Sequence, residues 1–159
     1  MKGMGPTIRR SWTAFLVTVV VSGACSVGPP SQAASACDDS TFVPIEGIAE
    51  GGPRVVEVQA SSGQLEAWGL LWAQPPLAAG EEVKMVWRIT GAGDFSAVAR
   101  LDGLEVDPAW GPVVHDTSSF NKPGDEWGTS FLLPQGGCWE IRLTRGTGSV
   151  SVWIPVTER

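Results

Sequence analysis

The stretch Glu82–Thr90, EVKMVWRIT, decides the fold, because its side chains alternate between two faces with a period of two residues. One face would carry Lys84 and Arg88 with Val86. The other face would be entirely apolar: Val83, Met85, Trp87 and Ile89. A period of two is the repeat of a β-strand that packs one face on a core and turns the other to solvent. The stretch therefore predicts a half-buried strand.

Six further runs of the same kind follow one another along the chain, separated by Gly, Pro and Asp: Arg54–Ala60, Leu65–Ala73, Phe95–Leu101, Glu126–Leu133, Cys138–Thr144 and Ser149–Val156. About seven short strands with turn signals roughly every ten residues are typical of an all-β sandwich. We expect a single immunoglobulin-like or fibronectin-like Greek-key β-sandwich. The segment Asp102–Asp125, rich in Pro and Gly, is expected to be a long irregular connection.

The amino-terminal segment has the order of a secretory signal. Three basic residues come first, Trp12–Val21 is an apolar run, and Ser22, Gly23 and Ala24 lead into Cys25. The run is too short to span a bilayer, which needs roughly 20 residues.

Val21–Cys25 resembles a lipobox, although Ser22 stands where leucine is usual. The resemblance implies a lipoprotein signal peptide over residues 1–24, cleavage before Cys25 and lipidation of that cysteine. Soluble secretion with cleavage after Ala34 or Ala36 is one alternative, and an uncut anchor is another. The pair Arg9–Arg10 leaves both general secretion and twin-arginine export open.

Three cysteines leave one over in an oxidising compartment. If Cys25 carries lipid, Cys37 and Cys138 remain as a disulfide pair that would join the start of the domain to a late strand. Two free buried thiols are the alternative. Residues 25–36 contain small uncharged side chains and Pro-Pro, which favours a flexible linker to a sandwich domain over residues 37–159.

The charge of the exported part excludes a nucleic-acid partner. Of eleven Lys and Arg residues three precede Cys25, so eight basic residues face seventeen acidic ones, a net charge of −9. Such a domain lacks the basic patch that neutralises phosphates.

Three segments resemble those of uncharacterised bacterial lipoproteins that have an immunoglobulin-like sandwich domain and a strand beginning GCWE: Gly80–Arg88, Pro123–Gly128 and Gly136–Ile141. The resemblance covers roughly residues 50–156. It implies the fold and an extracytoplasmic, lipid-anchored location, and it implies no activity.

Tryptophans are the strongest candidates for ligand binding. Trp87 and Trp139 lie on predicted core faces, whereas Trp110 and Trp127 bracket the long connection. An exposed indole beside Asn121 and Asp125 could hold a sugar ring, which would make the domain a carbohydrate-binding module near the cell wall. The alternative is that both rings fold inward.

Signals for catalysis are weak. His115, the only histidine, could serve a small hydrolase with a neighbouring serine and an acid, but no GxSxG motif is present. Asp102, Glu105 and Asp107 could contribute to a calcium site, yet their spacing fits no EF-hand loop. A glycosidase carboxylate pair is a further alternative. We predict no catalytic residue, no metal and no cofactor.

The resulting hypothesis is a non-enzymatic binding module held through Cys25 by membrane lipid on the extracytoplasmic face. In a cell with two membranes the outer membrane is the expected location. Its protein or glycan partner would contact residues Leu104–Trp127, because binding residues concentrate on loops of a rigid scaffold.

Overall fold

The computed structural model of the chain describes residues 37, 40, 42–45, 55–115 and 120–159. The predicted signal peptide, Cys25 and the rest of the linker at 25–36 lie outside these residues. The described residues form eleven strands: β1 (Phe42–Pro44), β2 (Val56–Ser62), β3 (Leu65–Leu71), β4 (Leu77–Ala78), β5 (Glu82–Ile89), β6 (Phe95–Leu101), β7 (Leu104–Val106), β8 (Trp110–His115), β9 (Asp125–Leu132), β10 (Gly137–Arg145) and β11 (Gly148–Thr157).

The strands form two sheets that pack face to face, as the predicted all-β sandwich requires. The six-stranded sheet has the order β1-β2-β3-β5-β9-β8, and the five-stranded sheet has the order β4-β11-β10-β6-β7. All pairings are antiparallel except that of β4 with β11. The chain crosses to the other sheet for the short strand β4 and returns for β5, and it changes sheets again between β5 and β6, between β7 and β8, and between β9 and β10.

The core lies between the inner faces of the two sheets. The four apolar side chains predicted to share one face of Glu82–Thr90 are all buried there. Trp87 and Trp139 are fully buried, as expected. The indole N–H of Trp87 donates to Oγ1 of the buried Thr129 over 2.9 Å, so this fully buried ring leaves no unsatisfied donor.

The seven predicted runs are the seven strands of seven residues or longer, with ends that differ by at most two residues. The prediction of an irregular connection over Asp102–Asp125 was wrong in part, because β7 and β8 lie within it. Asp102 and Gly103 turn the chain with positive φ angles of 48° and 86°, which pairs β7 with β6. Short edge strands containing Pro and Gly carry no alternating pattern, so periodicity misses them.

Cys37 and Cys138 form the predicted disulfide, with their Cα atoms 5.8 Å apart. Cys138 is the second residue of β10 and lies opposite Pro155 of β11. The bond therefore joins the start of the domain to one end of the five-stranded sheet.

A second, smaller apolar cluster covers part of the outer face of the six-stranded sheet. Val55, Leu70 and Val86 are buried there, and Phe120 packs against them. Nζ of Lys122 lies 2.7 Å from Oε1 of Glu57 on β2, and this pair helps to hold residues 120–122 across the sheet.

None of the described residues belongs to a helix that is long and apolar enough to cross a bilayer.

Candidate functional site

The register of the six-stranded sheet places polar and aromatic side chains in rows across its outer face. Ser130 of β9 lies opposite Lys84 of β5 on one side and opposite Trp110 of β8 on the other. Trp72, directly after β3, donates its backbone N–H to the carbonyl of Lys84 over 3.0 Å. The first row therefore runs Trp72, Lys84, Ser130, Trp110. We call the part of it around Trp110 the β8 site, lined by Glu82, Lys84, Trp110 and Ser130.

Two rows further along the strands, a second set of side chains crosses the same face. Trp68, Arg88, Glu126 and His115 are successive register partners. Nε of Arg88 lies 3.2 Å from Oε2 of the buried Glu126. This ion pair ties β5 to β9 at the end of the sheet opposite to the β8 site.

Trp110 is the exposed tryptophan of the described part of the chain, with 44% of its surface accessible. Its ring leans over Gly128, where an added Cβ would lie 2.9 Å from Cζ3 of Trp110 and 2.7 Å from Nε2 of His115. The absence of a side chain at Gly128 therefore creates the depression that holds both rings. A β-bulge between Trp110 and Val113 shifts the register of β8 and sets this position.

The polar groups of the β8 site are held by their neighbours. Ser130 donates its hydroxyl to Oε1 of Glu82 over 2.6 Å. Nζ of Lys84 lies 5.2 Å from the centroid of the Trp72 ring, within the range of a cation–π interaction. A cavity of about 260 Å³ lies between these side chains and Trp110. A carboxylate acceptor, an ammonium donor and an indole therefore surround one depression.

The two bracketing tryptophans lie on opposite faces of the sheet. Trp127 is opposite Trp87 on the inner face and packs against the core. Its ring stacks on Phe95 at a centroid distance of 5.0 Å, and the guanidinium carbon of Arg145 lies 5.2 Å from its centroid. Trp127 therefore closes one end of the sandwich, and it cannot share a ligand with Trp110.

The other two predicted ligand-binding residues also lie apart from Trp110. Asp125 forms an ion pair with the buried Arg145, beside Trp127. Asn121 is exposed in the segment that crosses the second apolar cluster. The structure does not bring Trp110, Trp127, Asn121 and Asp125 together in one site. Trp110 and Trp127 are separated because Ser130, the register partner of Trp110, lies three residues from Trp127 in β9, and an odd spacing in a strand puts side chains on opposite faces.

His115 lies beside Trp110, and its Nε2 has no hydrogen-bond partner in the described part of the chain. Asp116, Thr117, Ser118 and Ser119, the neighbours that a hydrolase would need, lie outside the described residues. Within residues 55–115 and 120–159 no nucleophile or acid is hydrogen-bonded to Nε2 of His115, although Glu126 is its register partner on β9.

Of the three carboxylates considered as calcium ligands, Glu105 has a different partner. Glu105 forms an ion pair with Arg100, its cross-strand neighbour on β6. Within the described ranges no three His, Cys, Asp or Glu side chains come close enough to hold a metal ion.

A larger cavity of about 410 Å³ lies on the outer face of the five-stranded sheet. Its floor is the row Trp153, Glu140, Arg100, Glu105, which the register of four strands places side by side. The hydroxyl of Ser151 donates to Glu140, and Arg100 is paired with Glu105, while the buried Nε of Arg100 has no hydrogen-bond partner among the described residues.

Sequence reasoning missed Trp72, Glu82 and Ser130 as members of a site. The alternation of Glu82–Thr90 predicted that Lys84 points away from the core, and this was the sequence signal available for the site. The partners of Lys84 come from strands distant in sequence, so only the sheet register shows them.

The chain matches no known family profile, no curated protein and no solved structure.

Proposed function

We propose that the chain is an exported lipoprotein whose β-sandwich is a non-enzymatic binding module that presents the β8 site to its ligand. The observation that carries this proposal is the exposed indole of Trp110 on a rigid sheet, above a depression with fixed polar groups. Exposed apolar groups rimmed by polar ones mark interaction surfaces.

The apolar surface around Trp110 extends along the same two strands. Val113 of β8 and Leu132 of β9 are exposed as well, on the same face as Trp110. Complete burial of such a side chain from water stabilises by about 1.5–3 kcal/mol, and these residues, which are about half exposed, have only part of that free energy still to gain. A partner that covers this surface would recover part of that free energy, which supports the β8 region as the contact surface.

The tether supports the same function. Cys25 and Cys37 are 12 residues apart, so an extended linker would reach at most about 40 Å. That reach is comparable to the length of the domain's longest strands, about 33 Å for ten residues. The module would therefore work close to the membrane with freedom to turn, and the immunoglobulin-like family resemblance is consistent with this role.

The anchor is tested by replacing its attachment atom. Wild-type chain expressed in a bacterial host and fed a labelled fatty acid should incorporate the label and sediment with membranes. Cys25→Ser should lose the label and remain as precursor. Unchanged labelling and processing in Cys25→Ser would reject the lipid anchor.

The binding surface is tested in the same host with a photo-cross-linking residue. Placed at Trp110, it should form an adduct in the cell envelope. Placed at Arg142, on the outer face of the other sheet, it serves as the matched control. Adducts at position 142 but none at position 110 would reject the β8 site as the contact surface.

A further inference from the structure

We infer that the β8 site binds a neutral saccharide, one ring of which stacks on Trp110 while Glu82 and Lys84 bond to its hydroxyl groups. This inference rests on the proposed binding function and names the class of ligand. Its members come from β5, β8 and β9, so it differs from a site built on the loop between Trp110 and Trp127.

The first step is the stacking wall. A sugar ring has a face of C–H groups, and an indole presents a negative π face to them. Trp110 offers such a face, since 44% of its surface is accessible while Gly128 and His115 support the ring from below. A ring supported in this way loses little side-chain entropy when a ligand arrives.

The second step is the pair of polar groups at the rim of the sugar. Glu82 is held by the hydroxyl of Ser130, and it accepts hydrogen bonds through a carboxylate with two oxygens. Lys84 is held over the Trp72 ring, and its ammonium group has three donors. Neighbouring hydroxyl groups both donate and accept, so one sugar can satisfy both side chains.

The third step is size. The cavity of about 260 Å³ is smaller than the ~300–1,000 Å³ of pockets that enclose drug-sized ligands. It therefore takes one ring, and the rest of an oligosaccharide would extend over the sheet. The row from Trp110 to Trp72 crosses three strand spacings, about 14 Å, along which further rings can lie.

The fourth step is charge. The carboxylate of Glu82 and the ammonium of Lys84 cancel within the site, so the site itself favours neither ionic type. The exported chain as a whole carries a net charge of −9, which repels polyanions at low ionic strength. Together these charges favour a neutral saccharide over a uronic-acid polymer.

The test is affinity electrophoresis of the full chain, solubilised in detergent, through gels that contain β-glucan, mannan, starch or polygalacturonate. We expect a neutral polysaccharide to retard the wild type. Trp110→Ala and Glu82→Gln should each weaken the retardation by about tenfold. Free monosaccharide should compete at millimolar concentration if single rings bind, and only oligosaccharide should compete if several rings are needed; either result supports the inference.

Two control variants should bind like the wild type. Val114→Ala removes an exposed apolar side chain from the same strand but from its other face, and Trp153→Ala removes the indole beside the larger cavity. Thermal unfolding of every variant shows that it is folded. Loss of binding in Trp153→Ala but not in Trp110→Ala would overturn the site.

Failure of the ligand class is distinguishable from failure of the binding function. Retardation by polygalacturonate alone, abolished by salt, would overturn the neutral saccharide. No retardation by any of the gels, together with a protein adduct at position 110 in the envelope, would also overturn it while leaving the binding module in place. No adduct and no retardation would reject both.

Discussion

At the scale of single residues, two glycines of the six-stranded sheet make room for aromatic rings on opposite faces. Gly69 lies under the buried Trp87, and Gly128 lies under Trp110 and His115. The space at Gly69 is filled by a core ring, and the space at Gly128 belongs to the candidate site. The same physical device, a missing Cβ in a strand, therefore serves packing on one face and binding on the other.

Gly69→Ala should destabilise the protein. The new Cβ would lie 2.4 Å from Cζ3 of Trp87, whose ring is fully buried and bonded to Thr129. We expect the free energy of unfolding to fall by about 1–3 kcal/mol, as measured by denaturant unfolding. Gly148→Ala is the comparison variant: its Cβ would lie 2.6 Å from Cδ1 and 3.0 Å from Cγ of Leu65, a smaller side chain than the rigid Trp87 ring, so it should lose less stability. Equal losses in the two variants would contradict this account.

Thr129→Val should cost about 1–3 kcal/mol of unfolding free energy, because it leaves the buried indole N–H of Trp87 without an acceptor while keeping the side-chain volume. Thr129→Ser keeps the hydroxyl and should retain most of that stability. Urea unfolding followed by tryptophan fluorescence compares the two. A Val variant as stable as the Ser variant would mean that the hydrogen bond contributes nothing.

At the scale of elements, the neighbouring strands β8 and β9 place their tryptophans on opposite faces of the sheet, where the two rings have different roles. Trp127 of β9 lies between Phe95 and Arg145 at one end of the sandwich, and Trp110 of β8 lies on the outer face. An edge strand with a bulge and Pro112 resists pairing with other strands, so β8 can display apolar side chains without acting as a template for aggregation.

Trp127→Ala should therefore mainly lower stability, whereas Trp110→Ala should mainly weaken ligand binding. We expect Trp127→Ala to lower the unfolding free energy by about 2–4 kcal/mol, since it removes a packed ring from the edge of the core. Trp110→Ala should change stability by at most about 0.5 kcal/mol, as for an exposed position, while it weakens ligand binding. The reverse order of stability, in calorimetric scans of both variants, would contradict the placement of the two rings.

At the scale of the whole molecule, the Cys37–Cys138 bond closes a loop across 101 residues of sequence. Such a bond restricts the unfolded chain and can contribute up to ~4.7 kcal/mol on the entropic model. It also binds the start of the domain, where the proposed tether arrives, to the end of β10. A force applied through the tether would then act on the disulfide bond and would not separate a terminal strand from its sheet.

The double variant Cys37→Ser and Cys138→Ser should unfold at a lower denaturant concentration than the wild type, by an amount equivalent to roughly 2–5 kcal/mol. Reductant should bring the wild type down to the stability of the variant and leave the variant unchanged. A wild type whose unfolding curve is insensitive to complete reduction would show that the bond adds nothing to stability.

The sequence alone was sufficient for the all-β class, the seven long strands, the buried Trp87 and Trp139, and the pairing of Cys37 with Cys138. Each depends on local alternation or on counting cysteines, and both are read along the chain. The lipid anchor at Cys25 stays a prediction, since it lies outside the described residues. Only the tertiary structure decided the candidate site. Trp72, Lys84, Ser130 and Trp110 come together through the register of β3, β5, β9 and β8, and that register depends on pairings between residues as many as 50 positions apart. The same register places Trp127, in the strand next to that of Trp110, on the opposite face of the sheet, where it packs against the core.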